Sequence, residues 1–163
     1  MEISDLIAKM AAVGMVTTDN IVGCTDEQIA QIEATFAVKL PDSYKQFLTK
    51  MGVAAGYFLH GSKLYFPETL TLKQPAEKLL TAADVSFRLS KEDFVFLVHQ
   101  DYQFMFFDTA AGDDPPVHRF CEGQLGLEEV DKHFSDWLQS CVIDECKLFE
   151  DNREVRAELG LSL

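Results

Sequence analysis

Four histidines and four cysteines are the side chains of this sequence best equipped for metal or nucleophilic chemistry. The histidines are His60, His99, His118 and His133; the cysteines are Cys24, Cys121, Cys141 and Cys146. None stands in a His-x-x-x-His or Cys-x-x-Cys pair, the spacings that make zinc ligands converge. They read as structural histidines and buried, reduced thiols, and no metal or cofactor is expected. Cys24 is the least bland, because it sits beside a predicted helix N-terminus that would lower its pKa. A Cys–His pair could also assemble in space from positions far apart in sequence.

Carboxylates are the other chemical resource. The chain has 27 acidic and 14 basic side chains, a net charge of −13, and the imbalance is uneven: residues 1–100 carry −3 and residues 101–163 carry −10. Such a field repels nucleic acid and anionic membrane. It fits two uses, a soluble monomer and the steering of a basic protein partner. Asp101, Asp108, Asp113, Asp114 and Glu122 fall on a predicted hairpin turn, a Gly/Pro loop and a strand end. Turn formation accounts for Asp at such places. Displayed on one rim, the same groups would complement a Lys/Arg surface. Glu128, Glu129 and Asp131 are expected to open a closing helix, where they favour the dipole. There is no phosphate loop, dinucleotide fingerprint, nucleophile elbow, calcium loop or basic stripe. The expectation is therefore a protein that does no chemistry of its own.

These residues hang on elements that the sequence punctuates clearly. Residues 2–13 place Ile3, Leu6, Ile7 and Met10 on one helical face, stopped by Gly14. Thr25 with Gln28 forms a capping box before a helix that turns Ile29, Ile32 and Phe36 inward. Val38 and Leu40 mark an extended elbow, and Pro41 suits the first position of a second helix. That helix carries Tyr44, Phe47, Leu48 and Met51, with Gly52 as a left-handed stop. Tyr57–Leu59 and Leu64–Phe66 read as short strands around a turn, and residues 74–83 as a helix. Phe94–Val98 is apolar on both faces, the mark of a buried interior strand. A hairpin turn at residues 99–101 leads into Tyr102–Phe107, and Val117–Cys121 is a further strand. Val130, Phe134, Trp137, Leu138 and Cys141 space out a closing helix of three to four turns. Residues 144–163 form a charged tail or final helix anchored by Leu148, Phe149, Val155, Leu159 and Leu161. Strands and helices are segregated, so the reading is a single α+β domain over residues 1–163, its mostly antiparallel sheet packed against helices.

The run Val38, Leu40, Pro41, Tyr44, Phe47, Leu48, after the helix containing Glu33, resembles the SUKH superfamily of Smi/Knr-like proteins. Phe104 to Asp108, Asp114-Pro115, Val117–Phe120, and then Phe134, Trp137 and Leu138 extend the resemblance over roughly residues 23–142. The sequence departs from the family in its thin glycine content after the second helix (Gly52, Gly56) and in both ends, 1–22 and 143–163. The resemblance implies the α+β fold and a non-enzymatic binding role. It is similar to bacterial immunity proteins that neutralise a cognate toxin, often a nuclease. The alternative within the resemblance is a regulator or scaffold of cell-wall assembly. Such relatives carry long disordered extensions that this sequence lacks. An enzyme with an unrecognised site is the third option. With Glu2 and Asp5 ahead of Lys9 there is no signal-peptide pattern, and no apolar run spans a bilayer, so a cytoplasmic location is expected. The expected partner is a basic toxin domain, with Asp101, Asp108, Asp113, Asp114 and Glu122 as the contact residues.

Overall fold

In the computed structural model, which describes residues 2–158, α1 (Ile3–Ala12) buries Leu6 and Met10 and ends before Gly14, whose φ is 82°. A two-residue strand, β1 (Ile21–Val22), then leads to α2 (Asp26–Phe36). The capping box forms: Gln28 N–H donates to Thr25 Oγ1 at 3.3 Å, and Thr25 N–H donates to Gln28 Oε1 at 2.9 Å. Ala37, with φ 53°, turns the chain out of α2. Glu33 fastens the elbow, since its carboxylate accepts the Leu40 N–H at 2.8 Å and lies 3.4 Å from Lys45 Nζ.

α3 (Asp42–Met51) begins one residue after Pro41, which serves as its N-cap. Gly52 ends α3 with φ −74°, so the expected left-handed stop is absent. The need for glycine there is steric: a Cβ would lie 2.6 Å from Leu48 O and 2.7 Å from Cys24 Sγ. Gly23 is held by the same close approach, because its Cβ would sit 1.8 Å from Thr49 O.

β2 (Ala54–Ala55) pairs antiparallel with β1 as a small ribbon. Tyr57–Leu59 is not a strand, and the pairing that follows, β3 (Ser62–Lys63), stops before Leu64. Consecutive turns fold this segment instead, with Phe58 N–H on Ala55 O and His60 N–H on Tyr57 O. A 3-10 turn (Glu68–Thr71) leads into α4 (Lys73–Ala82).

Then comes the main sheet: β4 (Asp93–His99), β5 (Gln103–Asp108), β6 (Val117–Cys121) and β7 (Glu128–Asp131), all antiparallel in the order β3-β4-β5-β6-β7. β7 corrects the sequence reading. Glu128, Glu129, Val130 and Asp131 belong to an edge strand, and α5 (Phe134–Glu158) starts after it. α5 is also one continuous 25-residue helix, where the sequence reading has a helix of three to four turns followed by a charged tail or a separate final helix. Beyond its first two turns it is held by Val142, Cys146 and Phe149 in the core and by Arg153, which donates to Val13 O at the end of α1. Leu159 and Leu161 lie outside the described residues.

The sheet is covered on both faces. Phe94, Phe96, Leu97, Phe107 and Val117 face the core shared with α1, α2, α3 and α5. Val95, Val98, Phe104, Phe106 and Phe120 face α4 and the stretch 85–89. A bulge between Val95 and Leu97 lets the neighbours Phe96 and Leu97 enter the same core. Tyr44 is the hub of that core, its ring between 5.2 and 6.1 Å from those of Phe47, Phe94, Phe96, Phe107 and Phe134. The architecture is a single α+β domain.

Candidate protein-binding surface

β5 separates the five carboxylates picked out from the sequence into two groups. Asp101 sits in the β4–β5 hairpin turn, and Glu122 follows β6 at the same end, where its N–H donates to Tyr102 O at 2.8 Å. Asp108, Asp113 and Asp114 lie at the far end of β5, roughly 17 Å away at about 3.4 Å per residue. A shared rim is thus replaced by two.

At the hairpin rim, Gln100 and Asp101 both have positive φ (46° and 59°), the signature of a type I′ turn, and Tyr102 N–H closes it on His99 O at 3.2 Å, with His99 and Gln103 facing each other across the loop. Asp101 pairs with Lys63 at 3.2 Å. Glu122 is exposed. At the far rim the roles diverge. Asp108 Oδ1 accepts the Ala110 N–H at 2.7 Å and shapes its own loop. Asp113 contributes its carbonyl to the Ser43 N–H at the start of α3, leaving its carboxylate in solvent. Asp114 is committed to structure: its carboxylate accepts the Ser135 N–H at 2.9 Å and the Ser135 hydroxyl at 2.6 Å, capping α5 from outside.

The thiols lose the chemistry that one of them promised. Burial pushes Cys24 up to about 11, against the lowering expected beside a helix N-terminus. Burial, reinforced by Glu145, Asp144 and Asp131, pushes Cys141 up to about 12. Cys146 is also raised, by burial first. Protonated thiols of this kind are poor nucleophiles. Two of the histidines have polar neighbours: His99 Nδ1 lies 2.9 Å from Ser62 Oγ, and His133 Nδ1 lies 3.2 Å from Asp114 O. Among the described residues, no three His, Cys, Asp or Glu side chains converge as metal ligands, and no helix is long and apolar enough to cross a membrane.

The model of the SMI1 / KNR4 family (SUKH-1) matches residues 23–140. The chain belongs to that family. The match runs from the start of the capping box to the first turns of α5, leaving out α1 and the second half of the closing helix. SUKH proteins include both immunity proteins and cell-wall regulators, and they often bind protein partners. No curated protein matches the chain.

One surface feature escaped sequence reasoning. Beside the hairpin rim, a groove of about 410 Å³ runs between residues 83–87 and the β6–β7 loop at residues 124–127, with Phe120 at its floor. Leu125 on its wall is fully exposed, at 103%, and Leu127 is 36% exposed. The signal was present, since two leucines stand beside Gly126 in a loop where polar residues are the rule.

Proposed function

We propose that this SUKH-family chain is a non-enzymatic binding module. In this reading it is an immunity protein that holds a basic toxin domain, a nuclease being the leading class, against its acidic surface in the cytoplasm. The observation that carries the reading is uncompensated charge. Among the described residues, Asp101 and Glu128 are the carboxylates beyond position 100 that form ion pairs, with Lys63 and Arg119. The remaining acids of this half, net −10 over residues 101–163, leave a field that draws in Lys- and Arg-rich surfaces. The raised thiols of Cys24 and Cys141 further favour binding over catalysis.

The test is growth rescue: a toxin encoded beside this gene is expressed with and without the chain, and the complex is then purified. Rescue with co-purification is the expected result; a toxin that kills equally in both strains rejects the immunity role. The association rate should fall on the order of tenfold or more between low and high salt. An unchanged rate rejects electrostatic steering. The family also admits a regulatory scaffold, which would retain several partners instead of one.

A further inference from the structure

The groove beside the hairpin rim has the features of a receptor for extended chain. Val85, Phe87 and Leu89 pack on the sheet, the ring of Phe87 stacking on Phe106 at 5.7 Å, while Asp84, Ser86, Arg88 and Ser90 point outward. That alternation is the pattern of a strand, yet residues 85–89 join no ladder. Among the described residues, none of the backbone N–H groups from Val85 to Leu89 donates to a protein acceptor. The opposite wall offers Leu125 and Leu127, two apolar side chains exposed together where solvent is a poor neighbour.

The charge around the groove narrows the occupant. Asp84 lines it, and Glu122 precedes the Gln124–Leu127 wall. Asp101 lies at the same end of the sheet, against the last turn of α4 at Ala82, from which the chain runs directly into the groove. The nearby cations are Arg88, whose guanidinium folds back onto the carbonyls of Val85 and Phe87, Lys63, which is taken by Asp101, and Lys78 on α4 beside Asp101. Asp84 and Glu122 have no ion-pair partner among the described residues. A second copy of this chain, at −13, would meet like charge here.

We infer that this groove takes an extended segment of the protein partner in which apolar side chains alternate with Lys or Arg. The apolar residues would lie between Phe87 and Leu125, the backbone would meet the free N–H groups of residues 85–89, and the cations would face Asp84 and Glu122. This inference rests on the basic-partner reading above and assigns it a place.

The test uses the full chain, labelled with 15N, and a nonapeptide alternating Lys with Val as probe. Its counterpart alternates Glu with Val. Amide resonances of residues 84–89 and 124–127 should shift with the Lys/Val peptide and stay still with the Glu/Val peptide. Leu125→Ser combined with Leu127→Ser should weaken binding at least tenfold, as should Asp84→Lys combined with Glu122→Lys. Shifts confined to residues 108–114, or none with either peptide, overturn the groove while leaving the basic-partner reading to the rescue experiment. Equal binding of both peptides overturns the charge selection. Conversely, a toxin that co-purifies with the Leu125→Ser/Leu127→Ser chain as well as with the wild type refutes the groove and keeps the immunity role.

Discussion

The α2–α3 pair and the loops of the acidic half use polar groups in opposite ways. In the pair, nearly every polar contact closes on the protein itself: Thr25 and Gln28 cap each other, Glu33 holds the Leu40 amide, and Gly23 and Gly52 let backbone meet backbone. In the acidic half, exposed carboxylates such as Asp113 and Glu122 and the side chains of Leu125 and Leu127 face outward, as do the bare amides of residues 85–89 ahead of it in the chain. A region whose interactions are internally satisfied specifies a fold. One that leaves charge and apolar surface unsatisfied is suited to a partner. The family match begins with the first region and ends within the second, so membership identifies the scaffold more firmly than it locates the contact surface.

The sharpest way to break that division is to damage the scaffold. Phe47 is 2% exposed and stacks on Tyr44 at 5.7 Å in the core that α3 shares with the sheet. Phe47→Ala should cost about 3–5 kcal/mol, the usual penalty for emptying an aromatic site, read from urea denaturation. The fraction that remains folded should bind the partner with unchanged affinity. A loss of affinity in the folded fraction would move the contact surface onto the helical pair.

Next comes a distinction within the far rim. The sequence offers Asp113 and Asp114 as twin contact residues, but the structure gives them different duties. Asp114→Ala removes the carboxylate that caps Ser135 and should cost about 1–2 kcal/mol. Asp113→Ala should stay within about 0.5 kcal/mol, as exposed substitutions do. Thermal unfolding of the two single variants tests this directly. Equal costs would mean that α5 does not depend on the cap. A double substitution would confound binding with stability, so the charge of Asp113 must be tested alone.

These cases show what was legible in the sequence. The α2–α3 elbow could be read because its signals are local: a capping pair three residues apart, a proline, and apolar side chains on one helical period. β4 could be read because its residues are apolar on both faces. β7 was hidden because three of its four residues are acidic, a composition equally suited to a helix start. What makes it a strand is distant: pairing with β6, and Arg119 Nε donating to Glu128 at 3.2 Å. Tyr57–Leu59 misled in the opposite way. Its apolar run looks like a strand, but Tyr57 is 52% exposed while Phe58 is buried, and the Tyr65 hydroxyl donates to Phe58 O at 2.8 Å across a turn. The two rims were implicit in the strand expected over Tyr102–Phe107, which sets Asp101 and Asp108 at its opposite ends, whereas the groove depends on an unpaired stretch that no local pattern distinguishes from a paired one.

A smaller effect probes a flaw inside the well-satisfied region. The Tyr44 hydroxyl is buried and has no hydrogen-bond partner among the described residues, and burial followed by the proximity of Cys24 pushes its pKa upward. Stranding a hydroxyl in this way costs about 1–3 kcal/mol. Tyr44→Phe keeps the ring packing and removes the stranded group, at the expense of a small void. The net result should be a gain of about 1 kcal/mol or less in denaturant unfolding. A clear loss would show that the hydroxyl has a partner worth more than the void.

The smallest expected effect lies where the two regions meet. Glu145, half-buried on α5, is held above the usual carboxylate range by burial, with Asp144 adding to the shift. The Leu59 amide and His99 pull it back down. A carboxyl whose folded-state pKa is raised favours folding fully only when pH lies below its unfolded value. That contribution fades as pH climbs through the raised folded value, beyond which the buried charge is a burden. Glu145→Gln keeps the shape and an oxygen for the Leu59 amide while removing the charge. It also relieves Tyr65 and Cys141, both of which Glu145 helps to push up. The variant should therefore melt slightly higher than the wild type at pH 7. The difference should close below about pH 4, where an ordinary glutamate is itself protonated. A difference that persisted unchanged into acid would trace the gain to packing instead of charge. A variant that melted lower at pH 7 would show that the ionised carboxylate at the junction of α5 and the 57–61 turns is a favourable contact.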